Sequence, residues 1–136
     1  MKYIGSEHFE HGQPSRVGIL VTNLGTPDAP EKKPLRRYLK EFLSDPRVVE
    51  VPRLLWWFIL NVIILNVRPA RSAAAYSTVW TEQGSPLLLN TRAQAEGLQV
   101  ALSEQHGDGV VVDFAMRYGS PAIADVVHGM LERGVT

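Results

Sequence analysis

Val17-Gly18-Ile19-Leu20-Val21-Thr22-Asn23-Leu24-Gly25-Thr26-Pro27 is the stretch whose reading decides the fold. Its first residues are aliphatic or glycine without alternation, the pattern of a strand covered on both faces in a parallel sheet. Asn23, Gly25 and Pro27 then break the run and a helical pattern follows. The loop from Leu24 to Pro27 therefore stands at the strand-to-loop edge, where open α/β sheets hold ligands.

A second apolar run, Val110 to Met116, leads into another turn, Arg117-Tyr118-Gly119-Ser120-Pro121. Right-handed crossovers bring both turns to the same sheet edge, facing one cleft. Between the runs, Leu35, Tyr38, Leu39 and Phe42 predict an amphipathic helix over 34–43 that Ser44-Asp45-Pro46 stops, followed by a short extended piece at Val48 to Val51. Leu54 to Val67 reads as an all-apolar helix ended by Pro69, with a short helix from Arg71 to Trp80 after it. Ser85 is a plausible helix cap, and Leu88, Thr91, Ala95, Leu98, Ala101 and Leu102 mark one face of a long helix from Leu87 to Gln105. A last helix, Ala122 to Arg133, buries Ile123, Val126, Val127, Met130 and Leu131. Gly134 caps it, and Val135-Thr136 begins a further strand. The expected fold is α/β: an open parallel sheet flanked by helices. Two strands cannot satisfy both sheet edges alone, so further strands are expected from other sequence. Residues 1–16 read as a flexible arm and 17–136 as the domain.

A chain of 136 residues fits one domain with a real core. Its 14 basic and 14 acidic residues cancel, so no global field favours nucleic acid or anionic lipid. Absence of cysteine excludes disulfides and thiolate metal sites and is compatible with a cytoplasmic location. The N-terminus lacks the apolar core of a signal peptide, and His8 and His11 read as part of a loose arm rather than a metal fragment. Leu54 to Val67 counts fourteen residues and carries Asn61 and Asn66, short of the roughly twenty a bilayer span needs. Two readings stand for it: a core helix, or an exposed apolar lip. Adjacent Trp56 and Trp57 with flanking arginines favour the lip, and they leave surface association with a membrane open.

Nucleotide chemistry is disfavoured, because neither a phosphate-binding loop ending in Lys-Ser/Thr nor a Gly-x-Gly-x-x-Gly turn is present. There is no Gly-x-Ser-x-Gly nucleophile elbow. His128, near Asp125 and Glu132, reads as part of a solvated helix face before it reads as a metal site. What remains is the tryptophan-rich lip, Tyr76 and Ser85, and Arg68, Arg71 and Arg117. Hydrophobic walls with arginines suit a large flat apolar ligand that carries carboxylates.

Gly18-Ile19-Leu20-Val21-Thr22-Asn23-Leu24-Gly25-Thr26-Pro27, Leu39-x-x-Phe42-Leu43-x-Asp45-x-x-Val48-Val49, Arg68-Pro69-x-Arg71-Ser72-x-x-x-Tyr76, Trp80-x-x-x-Gly84-Ser85-Pro86-Leu87 and Met116-Arg117-Tyr118-Gly119, in that order, resemble the N-terminal part of bacterial ferrochelatase. The resemblance covers nearly all of the chain from Val17 onward. It implies insertion of ferrous iron into protoporphyrin IX to form protoheme, on a fold of two similar Rossmann-like (chelatase-like) halves, of which this chain is the first and incomplete one. Iron and porphyrin are then substrates, and the C-terminal half of the same protein is the missing partner. By matching position, Leu24 lies against the macrocycle, and Arg71, Tyr76, Ser85 and Arg117 contact the porphyrin or its propionates. Leu54, Trp56, Trp57, Ile59, Leu60 and Ile63 belong to the hydrophobic lip. Some relatives carry tyrosine or methionine at the position of Leu24, and leucine cannot coordinate iron. The family's catalytic histidine and glutamate belong to motifs this sequence does not contain, so no catalytic or metal residue is assigned here. The expected location is the cytoplasm, with peripheral contact at the inner membrane left open. The alternative is a non-catalytic porphyrin- or heme-binding module on the same half-fold.

Overall fold

The computed structural model describes residues 15–136 together with Gly12. The expected arm, with His8 and His11, lies outside the described residues apart from Gly12, Ser15 and Arg16. The apolar runs form β1 (Val17–Thr26) and β2 (Val110–Gly119), paired in parallel with Val17 against Val110 and Thr26 against Gly119. β2 thus continues through Arg117, Tyr118 and Gly119, which the sequence pattern assigns to a turn. Two glycines permit it. Gly25 has φ +115°, and a Cβ there would lie 1.9 Å from the Tyr118 carbonyl oxygen. Gly119 has φ +82°, with the Thr26 carbonyl oxygen 2.6 Å from any Cβ. Only glycine allows both the backbone angle and the approach.

Helix α1 (Lys32–Ser44) follows β1, and α4 (Pro86–His106) makes the crossover to β2. α4 docks through buried Thr91 and Ala95. Asn23 Nδ2 donates to Thr91 Oγ1 at 3.0 Å, and that hydroxyl donates back to the Leu87 carbonyl at 2.7 Å. Leu98 and Ala101, expected on the buried face, are exposed because Gln99 is the residue that meets β2. α5 (Ile123–Glu132) lies over the sheet with Met130 buried near Gly18, while Val127 is exposed.

The sheet edges differ. Along β2 the N–H groups of Val112, Phe114 and Met116 turn away from β1. Gln99 spans the first position, its Oε1 accepting from Val112 N (2.6 Å) and its Nε2 donating to the Val110 carbonyl (3.1 Å). Asp113 Oδ1 accepts from Phe114 N at 2.8 Å, and the Pro121 carbonyl accepts from Met116 N at 2.7 Å. These three amides thus find partners without a further strand. On the far side of β1 the next strand begins: Val135 bridges Arg16 in parallel, and Thr136 N donates to the Arg16 carbonyl at 3.2 Å. β1, expected to be covered on both faces, exposes Val17, Thr22 and Leu24, whereas on β2 only Arg117 is exposed.

The largest departure is the apolar segment. α2 (Arg53–Phe58), a π-helical segment (Ile59–Ile64) and α3 (Leu65–Ser77) follow one another without a break. Pro69, expected to end the helix, lies inside it, and the expected separate helix from Arg71 is part of α3. Proline deprives the carbonyl four residues back of its donor. Arg36 supplies one, its Nη1 donating to the Leu65 carbonyl at 2.5 Å and to Asn66 Oδ1 at 2.9 Å. The asparagines support the wider π turns: Asn61 Nδ2 donates to the Trp57 carbonyl (2.8 Å), and Asn66 Nδ2 to the Asn61 (3.1 Å) and Val62 (2.7 Å) carbonyls. The continuous helix has 25 residues and, by length and composition alone, could cross a membrane. The fourteen-residue count therefore understated it. One side of it packs on α1, where Leu39, Leu43, Leu60 and Leu65 form a core edged by Phe42, Val49, Trp56 and Ile64. Val48 to Val51 is not extended: Val48 and Val49 both donate to the Asp45 carbonyl (3.0 and 3.2 Å) in a turn.

Candidate functional site

The two strand ends are locked by short polar contacts. Thr26 Oγ1 donates to Ser85 Oγ at 2.9 Å with both residues buried. Ser85 occupies the N-cap position of α4 and its carbonyl accepts from Leu89 N at 3.0 Å, but its hydroxyl serves Thr26 and caps no helix N–H. On the α1 side, the Tyr38 hydroxyl donates to the Gly25 carbonyl at 3.1 Å. Burial pushes that phenol up to about 12, with smaller contributions from Tyr76, Glu41 and Tyr118. Leu24 N donates to Asn23 Oδ1 at 2.8 Å. The Leu24 side chain is 51% exposed, level with Arg117 on the adjacent strand, because Asn23 pairs with Met116 and Gly25 with Tyr118.

Arg117 does not stand alone. Its Nη2 donates to Asp45 Oδ2 at 3.0 Å, the Tyr118 hydroxyl donates to the same oxygen at 3.0 Å, and its guanidinium carbon lies 5.5 Å from the Tyr118 ring centroid. Asp45 Oδ1 accepts from Arg47 N at 2.8 Å. The Arg47 amide, then Tyr118 and Arg117, hold the Asp45 carboxyl below the usual range, while Tyr118 and Asp45 strengthen protonation of Arg117. Glu41 Oε2, one turn earlier on α1, accepts from Gly119 N at 3.1 Å. The sequence offers Asp45 as part of a helix stop and of a family motif, with no role assigned, and pairing across 72 residues leaves no local signal.

The apolar helix presents half of its predicted lip, Leu54, Trp57 and Ile63, outward. Leu54 is 84% and Trp57 62% exposed, with Leu55, Phe58, Val62 and Ile63 also exposed. Ile59 and Trp56 are half-buried, and Trp56 Nε1 donates to the Leu43 carbonyl at 2.6 Å. Leu60 turns inward at 2% exposure and joins the core, supporting the lip from beneath. A cleft of about 530 Å³ opens where Val49, Val51, Leu54, Trp56 and Trp57 meet Lys40 and Arg53. A second groove, of about 480 Å³, runs beside Ile63, Val67, Arg68 and Arg71. Tyr76 is half-buried near the end of α3, edge-on to Trp80 at 6.3 Å, its phenol pushed up by burial. The structure thus brings Leu24 and Arg117 together and sets Arg71 beside Ile63, whereas Ser85 is enclosed behind the first strand end. Among the described residues no three His, Asp or Glu converge on a metal-sized point, and His128 meets only Glu132, at 3.4 Å.

The site thus joins a parallel strand pair carrying Gly25 and Gly119 at its shared end, an arginine held there by Asp45, and an exposed tryptophan-bearing helix packed on α1. The profile of the family described as Ferrochelatase matches residues 16–136. Curated ferrochelatases from Pseudoalteromonas atlantica (62% identical over 99% of this chain), Idiomarina loihiensis (63% over 99%) and Alcanivorax borkumensis (58% over 99%) are similar to it. The chain spans 37–40% of the length of these relatives. On the extent of the profile match, this chain belongs to the ferrochelatase family.

Proposed function

We propose that this chain forms one wall of the porphyrin pocket of a ferrochelatase, an enzyme that inserts ferrous iron into protoporphyrin IX to give protoheme. The single observation that carries the reading is the exposed apolar lip on a helix packed against α1, whose C-cap Asp45 holds Arg117 at the strand end, in a chain of this family. Leu24 and the lip residues bury the ring, and Arg71, Tyr76, Ser85 and Arg117 position it or its propionates. Ser85 acts from behind, by fixing the Thr26 loop. Metalation requires the macrocycle to be bent and two pyrrole protons to leave. The residues here supply walls and cations for holding and bending. The base belongs to the C-terminal half that the resemblance implies, as one of two Rossmann-like halves with residues 17–136 in the first. Iron is substrate, and the protein works in the cytoplasm, with the lip helix available for peripheral contact at the inner membrane.

The test is metal insertion, with iron or zinc and a dicarboxylic porphyrin, by this chain and by the full-length gene product. Turnover is expected from the full-length product and none from residues 1–136. Turnover by 1–136 alone would put the base in this chain and end the reading. Porphyrin affinity of the full-length protein is expected to fall on Trp57→Ser; unchanged affinity counts against the lip as a wall.

A further inference from the structure

We propose that Asp45 is a positioning residue that holds Arg117 ready for a substrate carboxylate, so that the acid preference of the site depends on both residues. The inference rests on the porphyrin-pocket reading and goes beyond it by naming what sets the arginine. Arg117 is long, and its side chain is 45% exposed at the end of β2. Such a side chain, if free, loses rotamer freedom when it captures an anion. Asp45 removes that freedom in advance.

The geometry suits this role. Asp45 follows the last turn of α1 in extended conformation, with φ −71° and ψ 122°. Its Oδ1 is anchored by Arg47 N, so the carboxylate plane is set by the local turn. Its Oδ2 then takes both the Arg117 Nη2 and the Tyr118 hydroxyl. The bond to Asp45 engages Nη2, and a guanidinium has further N–H donors in a planar fork for a second carboxylate. Since Glu41 also ties Gly119 to α1, the arginine is held between two elements. Asp45 precedes Leu54, where the lip begins, by nine residues, so one carboxylate joins the arginine to the segment leading to the apolar wall.

The experiment compares a dicarboxylic porphyrin with its dimethyl ester, binding each to the full-length protein by fluorescence titration. Asp45→Ala is expected to weaken diacid binding roughly two- to tenfold, the range that immobilising one side chain spans, and to leave the ester unchanged. Asp45→Asn, which keeps the shape and an acceptor oxygen, should lose less, and Asp45→Glu should recover part of the loss. In an Arg117→Ala background, Asp45→Ala should add nothing. Equal weakening of diacid and ester, an additive loss in the double variant, or tighter diacid binding would each overturn the proposal, the last by showing that Asp45 neutralises Arg117. Arg117→Ala alone tests the underlying pocket: an unchanged diacid affinity there removes the carboxylate contact and the role of Asp45 with it.

Discussion

Pro69 and Arg36 show how one side chain can offset a defect in the backbone of another element. Proline leaves the Leu65 carbonyl without its helical donor, and Leu65 is fully buried, so water cannot replace it. The Arg36 guanidinium, from α1, does so and fastens the apolar helix to α1. Arg36→Ala is expected to destabilise the fold by about 1–2 kcal/mol, read as a lower urea midpoint with unchanged slope. Pro69→Ala in the Arg36→Ala background should restore part of that loss, because the helix regains its own donor.

Tyr38 gives a pH test. Its folded phenol is raised from 10.0 to about 12, chiefly by burial. The unfolded chain ionises first, so between those two values it binds fewer protons than the folded chain, and stability falls as pH rises. Stability from this group is complete below pH 10 and is lost on the way to about 12. Tyr38→Phe should flatten that part of the alkaline slope and cost about 1 kcal/mol at neutral pH through the lost bond to Gly25. Thermal melts from pH 7 to 12 would check both. Asp45 acts at the other end of the scale. Its depressed carboxyl contributes above the unfolded value and loses that contribution as acid titrates it in the folded state.

At the scale of elements, the π segment decides which side chains of the apolar helix face outward. A π turn accommodates an extra residue, and one residue of register rotates an α-helix by about 100°. Leu54 and Trp57 upstream and Leu65 downstream therefore keep their present relation only while Ile59–Ile64 stays wide. Asn66, bonded to two carbonyls of that stretch, is its main support. Asn66→Ala should speed amide hydrogen exchange across 59–66 about tenfold while leaving the amides of β1 and β2 unchanged. Uniform acceleration through the whole chain would mean that the asparagine stabilises the fold at large.

For the whole molecule, the two sheet edges set the direction in which the sheet extends. Gln99 gives β2 the donor and acceptor that a neighbouring strand would offer, which protects an edge that could otherwise recruit another chain. Gln99→Ala should expose the Val112 amide to exchange, lower stability by about 1–2 kcal/mol, and raise self-association in sedimentation velocity. The absence of any increase in self-association would show that Asp113 and Pro121 suffice to close this edge.

Much of this architecture was legible in the residues themselves. Unbroken aliphatic runs at Val17 and Val110 marked parallel strands, and periodicity located α1, α4 and α5 to within a few residues, because a strand or an amphipathic helix is written into its own neighbours. The motifs around Leu24, Arg71, Ser85 and Arg117 indicated the family for the same reason. Tertiary structure alone decided the rest. Pro69 stays helical because Arg36 is near, Leu98 gives way to Gln99 because β2 lies beneath it, and Arg117 is held because Asp45 reaches it from α1. Each depends on a partner distant in sequence, whose hydrogen bond exists only once the chain has closed, and local pattern carries no trace of a bond that folding itself creates.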